Sequence, residues 1–150
     1  MSALPDALPD WIKEHLALYL RDGEAGHYWD ASDAGGEGML TTLLLFTTGR
    51  KSGKELVLPL IYRPAGDGSY CVIASKGGAP AHPAWYLNLV AQPEVKIKVV
   101  NDTMMAKART AEGAERQALW ETMAAYYPPY NDYQVSAGDR EIPVVVLEPN

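Results

Sequence analysis

At least six short apolar, β-branched segments are separated by tight-turn residues instead of helical crossovers, and that alternation constrains the fold of this chain more than any other feature. The segments are 40–48, 56–62, 70–75, 95–100, 104–109 and 142–147. Gly49-Arg50-Lys51-Ser52-Gly53, Ala65-Gly66-Asp67-Gly68 and Asn101-Asp102 are turns between them. Strands joined this way run antiparallel, because a parallel neighbour needs a crossover of a dozen or more residues. An antiparallel sheet or barrel is expected, and a doubly wound parallel sheet is not. Leu43-Leu44-Leu45-Phe46 and Val144-Val145-Val146-Leu147 are apolar without alternation, which predicts buried strands. Both runs fall far short of the roughly 20 residues that span a bilayer.

Helical spacing is confined to three places. Trp11, Ile12, Leu16, Tyr19 and Leu20 predict an amphipathic helix over 9–20, ended by Asp22-Gly23. Residues 24–38, rich in Gly, Asp and Ser, read as loop. A short helix is expected from Pro83 to about Val90, and a longer one from Ala111 to about Tyr127 capped by Thr110. A length of 150 residues predicts one domain, with an N-terminal helix and loop over 1–38 and the barrel over 39–150.

Charge and cysteine usage exclude several function classes. A net charge of −6 disfavours a grip on nucleic acid. The lone Cys71 cannot form an intramolecular disulfide, and no Cys/His spacing suits zinc, so no metal is expected and a cytoplasmic setting is. Asp6, Asp10 and Glu14 stand where a secretory leader avoids charge, so none is expected. The charge is nevertheless uneven: residues 1–38 hold eight acids and two bases, whereas 47–82 hold five bases, namely Arg50, Lys51, Lys54, Arg63 and Lys76, and two acids. A basic island inside an acidic chain suits an anionic small molecule, and equally a row of solvated turn lysines.

Three segments carry chemistry. The turn Gly49 to Lys54 is not a nucleotide-binding P-loop, since its glycines are too close and Glu55 stands where a magnesium-binding hydroxyl is needed. Its glycines, Arg50, Lys51 and the Ser52 hydroxyl can still surround an oxyanion, although an exposed hairpin turn has the same composition. The loop 74–83 joins a strand end to a helix start, a favoured ligand position, and Lys76 adds a cation there. His82 has no carboxylate nearby in sequence to orient it, which favours a packing role. Tyr126, Tyr127, Tyr130 and Tyr133 lie on a proline-stiffened segment and offer flat faces and phenol hydroxyls, or equally a packed C-terminal loop. No nucleophile elbow or Ser-His-Asp spacing supports a hydrolase.

Taken in order, Leu-Leu-Leu-Phe-Thr-Thr-Gly-Arg-Lys-Ser-Gly (43–53), Pro-Leu (59–60), Ala-Ser-Lys-Gly-Gly-Ala-Pro-x-His-Pro-x-Trp-Tyr-x-Asn-Leu (74–89), Tyr-Pro-Pro-Tyr-x-x-Tyr (127–133) and Ile-Pro-Val-Val-Val-Leu-Glu-Pro (142–149) resemble the deazaflavin-dependent nitroreductase family of actinobacteria. The resemblance covers about residues 40–149. It implies an α+β split β-barrel of the flavin-reductase, FMN-binding kind, with about six strands, an N-terminal helix and two further helices. It also implies coenzyme F420, a deazaflavin with a polyanionic phosphate and glutamate tail. Position by position, it places Arg50, Lys51 and Ser52 at the phosphate and tail, and Pro59, Ile73, Ala74, Ser75 and Lys76 beside the cofactor. Ala84, Trp85, Tyr86, Leu87 and Asn88 fall at the helix start lining it. Tyr127, Tyr130 and Tyr133 close the substrate pocket, with Tyr130 also near the deazaflavin. Glu55-Leu56 departs from the Pro-Arg of many relatives, and Lys54 is the cation that takes its place.

The reaction so implied is hydride transfer from reduced F420 to an electron-poor quinone, activated alkene or nitroaromatic, with Ser75 and Tyr127 or Tyr133 hydrogen-bonding the acceptor oxygen. The alternative is a carrier that holds a deazaflavin or flavin without turnover. FMN or haem on the same barrel is disfavoured by the motifs. Residues 1–38 can pack on the barrel, cover the pocket through His27-Tyr28-Trp29 or touch a membrane surface, their charge opposing anionic lipid. Monomer and homodimer both remain open.

Overall fold

In the computed structural model, which describes residues 10–30 and 38–150, the chain runs α1 (Asp10–Arg21), α2 (Gly23–His27), β1 (Tyr28–Asp30), β2 (Met39–Thr48), β3 (Glu55–Ile61), β4 (Arg63–Gly66), β5 (Ser69–Ile73), α3 (Ala84–Ala91), β6 (Glu94–Val99), β7 (Asp102–Thr110), α4 (Gly113–Tyr126), α5 (Pro129–Ser136) and β8 (Val144–Pro149). The eight strands form one sheet in the order β1-β2-β6-β7-β8-β5-β4, with β3 also on β2. Every pairing is antiparallel. The sheet curls into a half-barrel that brings β3 against β5.

The unalternating apolar runs follow from layers on both sides of the sheet. Leu43 and Leu45 of β2 point into the half-barrel with Val95, Ile97 and Val99 of β6 and with Val145 and Leu147 of β8. Leu44 and Phe46 point the other way, under Leu16 and Tyr19 of α1. In β8, Val144 and Val146 face α4 and α5 through Met123, Tyr127 and Tyr130. A strand covered on both faces has no polar position to alternate with, and each such side chain contributes about 1.5–3 kcal/mol on burial. In β6 one face is freer, and Lys96 and Lys98 alternate with buried neighbours as expected.

The N-terminal helix is docked rather than loose. Tyr19 is fully buried, and its hydroxyl donates to the Thr42 carbonyl at 2.9 Å and accepts from the Val100 N–H at 2.9 Å. Burial pushes that phenol up to about 12. α2 approaches closely because Gly26 carries no side chain: a Cβ there would meet the Tyr19 Cα at 2.3 Å.

Several boundaries differ from the sequence expectation. α1 ends before Asp22-Gly23 as expected, but Asp22 then caps a further helix, α2, accepting from the Glu24 and Ala25 amides. The stretch expected as loop holds α2 and β1, both too short to show periodicity. β4 was hidden by Pro64, which is tolerated because β4 lies at the sheet's end. The expected six strands are therefore eight among the described residues, and the two further helices are four. α4 starts at Gly113 after Glu112, while Thr110 belongs to β7 and its hydroxyl meets that of Tyr86 at 2.8 Å. The tyrosine segment is the helix α5, because Pro129 sits in a first turn that needs no N–H. Residue 9 and residues 31–37, included in the expected first helix and loop, lie outside the described residues.

Candidate active site

A cavity of about 700 Å³ lies between β3, the end of β5, the start of α3, and the tyrosines of α4 and α5. Its walls are mainly apolar: Leu58, Pro59, Leu60 and Ile61 of β3, Ile73 of β5, and Pro83, Ala84 and Trp85. α1 and β1 add Trp11, Ile12, His15 and Trp29, the two indoles stacked with centroids 5.2 Å apart. His15 is held there by its Nε2, which donates to the Gly26 carbonyl at 2.7 Å.

The polar groups converge on one side. The hydroxyls of Tyr127 and Tyr133 are 3.1 Å apart, so one donates to the other and one phenolic proton of the pair is not used between them. Tyr130 is 4% exposed and packs edge-on against both. Burial, with the Tyr133 hydrogen bond second, holds the Tyr127 phenol above its ordinary value, and burial raises Tyr130. Both phenols are protonated donors throughout the neutral range.

The rim Ser75-Lys76-Gly77 also lines the cavity. Lys76 and Gly77 are left-handed, at φ 48° and 62°, so the chain reverses sharply and exposes the rim. Gly78, at φ 85°, presses on α5: a Cβ would lie 2.8 Å from the Tyr133 Cα and carbonyl oxygen. Behind the rim, Arg140 donates to the carbonyls of Ala74, Ser75 and Ala79 and to His82 Nδ1. His82 is thus a packing histidine with a cationic partner, and burial, then Arg140, lowers its pKa.

A second hollow, about 530 Å³, is formed by Thr48, Gly49, Arg50, Lys51, Ser52 and Gly53 with Ala91 and Gln92. Gly53 is left-handed at φ 72°, and a Cβ on Gly49 would strike the Ser52 hydroxyl at 2.6 Å. Arg50, Lys51 and Lys54 form no salt bridge among the described residues. The turn is braced from beneath by Asn88, 1% exposed, whose Oδ1 accepts from the Arg50 amide at 3.1 Å and from its guanidinium at 3.0 Å. The cavity meets the N-terminal end of α3 and the hollow meets its C-terminal end. At 1.5 Å per residue the eight-residue helix sets them about 12 Å apart.

The residues expected at the site separate accordingly. Pro59, Ile73, Ser75, Lys76, Ala84, Trp85, Tyr127, Tyr130 and Tyr133 line the cavity, and Arg50, Lys51 and Ser52 line the hollow. Ala74, Lys54, Tyr86 and Leu87 line neither, and Asn88 braces rather than lines. Glu55, at the family's departure point, pairs with Lys96 at 3.2 Å. Of His27, Tyr28 and Trp29, only Trp29 reaches the cavity. Trp11 and His15 were missed, although their i, i+4 spacing places both on one face of α1. No group of three potential metal ligands occurs among the described residues, and none of their helices is long and apolar enough to cross a membrane.

The chain is similar to known proteins in sequence and fold. The family model described as F420H2-dependent quinone reductase matches residues 11–149. An F420H2-dependent quinone reductase of Mycobacterium tuberculosis is 34% identical over 143 residues, which cover 91% of this chain and 95% of that protein. The solved structure of an F420-H2 dependent reductase, FDR-A, is 42% identical and covers 71% of this chain and 93% of its own, with a TM-score of 0.65. A solved domain-swapped dimer is 37% identical, covering 93% of this chain and 98% of its own, with a TM-score of 0.67. The α+β split-barrel expectation stands with these neighbours. The chain belongs to the F420H2-dependent quinone reductase family and is an oxidoreductase whose hydride donor is reduced coenzyme F420.

Proposed function

We propose that this protein reduces quinones in the 700 Å³ cavity, with the deazaflavin ring in that cavity and its anionic tail on the Gly49–Gly53 turn. The observation that carries the reading is the pairing of an apolar, hydroxyl-edged cavity with a carboxylate-free cationic turn at opposite ends of α3. An elongated molecule with a flat ring at one end and negative charge at the other fits both. Arg50 is oriented by Asn88 through one N–H of its guanidinium, which leaves the rest of the fork for a phosphate or carboxylate. Reduced F420, when bound, supplies the hydride; the chain supplies orientation, water exclusion and hydrogen-bond donors.

The apolar wall of Trp11, Trp29, Leu58 and Leu60 fits the hydrocarbon body of a quinone and keeps water from competing for the hydride. Charge then develops on the quinone oxygen, and the phenolic proton that the Tyr127–Tyr133 pair does not use internally is available to hydrogen-bond it. Ser75, whose side chain caps no helix, supplies a second hydroxyl from the rim. A raised pKa keeps the Tyr127 phenol protonated until the acceptor arrives.

Anaerobic mixing of the F420H2-loaded protein with menadione, a cyclic enone or a nitroaromatic tests this reading. Quinone-dependent oxidation that exceeds the other two acceptors, and falls at least about tenfold in Tyr133→Phe with F420 affinity retained, is the expected result. Tight F420 binding with no acceptor-dependent oxidation would instead show a carrier.

A further inference from the structure

Arg140 lies in the connection between α5 and β8, outside every motif noted in the sequence, and does not line the cavity. Its side chain nevertheless spends four hydrogen bonds on one short segment. Nε donates to the Ala79 carbonyl at 2.9 Å, one terminal nitrogen to the Ala74 carbonyl and to His82 Nδ1, each at 3.1 Å, and the other to the Ser75 carbonyl at 2.7 Å. It forms no salt bridge among the described residues. A half-buried guanidinium without a carboxylate is an expensive way to stabilise a loop, so what it holds is informative.

It holds the back of the Ser75–Gly77 rim, and it is itself held by α5. Gln134 donates to the Arg140 carbonyl at 2.8 Å and accepts from the Ile142 amide at 2.9 Å, which fixes the backbone that carries the clamp. α5 also carries Tyr133, against whose backbone Gly78 is pressed. The rim and α5, neighbours along the cavity's polar edge, are thus tied together twice, once by the glycine contact and once by the relay from Gln134 through Arg140 to the rim. The rim's own backbone is left-handed at Lys76 and Gly77 and has no strand or long helix to keep it in place.

We propose that Arg140 is a positioning residue: its guanidinium fork holds the Ser75–Gly77 rim in place beside α5, and so fixes the polar edge of the cavity that receives the deazaflavin ring. This inference rests on the reading of the cavity as the ring's site. The fork is essential to it. Carbonyls of residues 74, 75 and 79 are reached from three nitrogens held in one plane, which the single ammonium of lysine cannot reproduce.

Arg140→Met and Arg140→Lys, each compared with wild type, test the assignment by F420 fluorescence titration, by anisotropy decay of the bound ring at saturation, and by amide hydrogen exchange of the free protein. With the tail turn untouched, Arg140→Met is expected to weaken F420 about tenfold and Arg140→Lys about threefold, corresponding to the loss of one or two net hydrogen bonds. The bound ring gains a fast local motion in both, and exchange accelerates in 74–82 while β2 and β6 keep their protection. Wild-type affinity and a rigid ring in Arg140→Lys would overturn the fork's role even if Arg140→Met fails to fold. Exchange that accelerates evenly along the chain would overturn positioning in favour of general stability. Failure of the wild type itself to bind F420 would overturn the cofactor reading instead, and the exchange pattern would still decide whether Arg140 clamps the rim.

Discussion

Asn88→Ala separates the brace from the contact it supports. Asn88 is 1% exposed, and its Oδ1 receives one neutral hydrogen bond from the Arg50 amide and one charge-assisted bond from the guanidinium; Nδ2 adds a long contact of 3.4 Å to Thr47 Oγ1. A neutral bond contributes about 1 kcal/mol and a charged one about 1.5–3 kcal/mol, the long contact little. The sum, about 3 kcal/mol, corresponds to a fall in Tm of roughly 6–12 °C for a chain of this size. Cofactor affinity falls as well, because Arg50 loses the partner that aims it. Asn88→Asp refines the point: the oxygen that accepts both Arg50 bonds survives, so most of the stability does, but a carboxylate against Arg50 neutralises the turn and weakens binding of the anionic tail. Calorimetry and F420 titration of both variants provide the assay. An alanine variant with wild-type Tm and affinity, or an aspartate variant that binds as well as wild type, would refute the reasoning.

Three further outcomes follow from the same geometry. Arg50→Ala with Lys51→Ala is expected to weaken F420 most below about 50 mM salt, where screening is weak; an unchanged dissociation constant there contradicts the tail site. Tyr19→Phe removes a hydroxyl that bridges Thr42 and Val100 and strands the Val100 amide, for a loss of about 2–3 kcal/mol in urea unfolding. His27 and His82 are both held below their ordinary value of 6.5, His27 by burial and His82 by burial and then Arg140. The unfolded chain therefore binds more protons than the folded one as pH falls through and below 6.5, and the stability present above that pH is lost downward. Urea midpoints at pH 7.5 and 5.5 check the sign, and a higher midpoint at 5.5 contradicts it.

What was legible in the sequence is what rests on composition over several residues. Leu43 to Phe46 and Val144 to Leu147 announce buried strands because two layers leave them no polar positions. The Gly49–Gly53 turn and the tyrosine segment announce themselves by residue type. Elements made by close approach are silent. Gly23 and Gly26 read as loop residues, yet they are there because a Cβ would meet the Val100 oxygen at 1.9 Å and the Tyr19 Cα at 2.3 Å. Pro128-Pro129 read as a stiff loop, although a proline pair opens a helix equally well. Arg140 and Trp11 carry no local signal, since Arg140's rim partners are 58 to 66 residues away and Trp11 stacks on Trp29 of β1. Asn88 shows the intermediate case: its place in the motif marks it as near the site, and only the fold shows that it serves Arg50.

The central claim is that ring and tail are gripped at opposite ends of α3. Its most direct measurement compares the affinity of intact F420 with that of the same deazaflavin lacking phosphate and glutamates, in wild type and in the Arg50→Ala, Lys51→Ala variant. The account predicts that wild type prefers the intact cofactor by at least about tenfold, and that the preference collapses in the variant while affinity for the tail-less ring stays the same. Equal affinity of wild type for both molecules, or a variant that loses the tail-less ring as well, would contradict it.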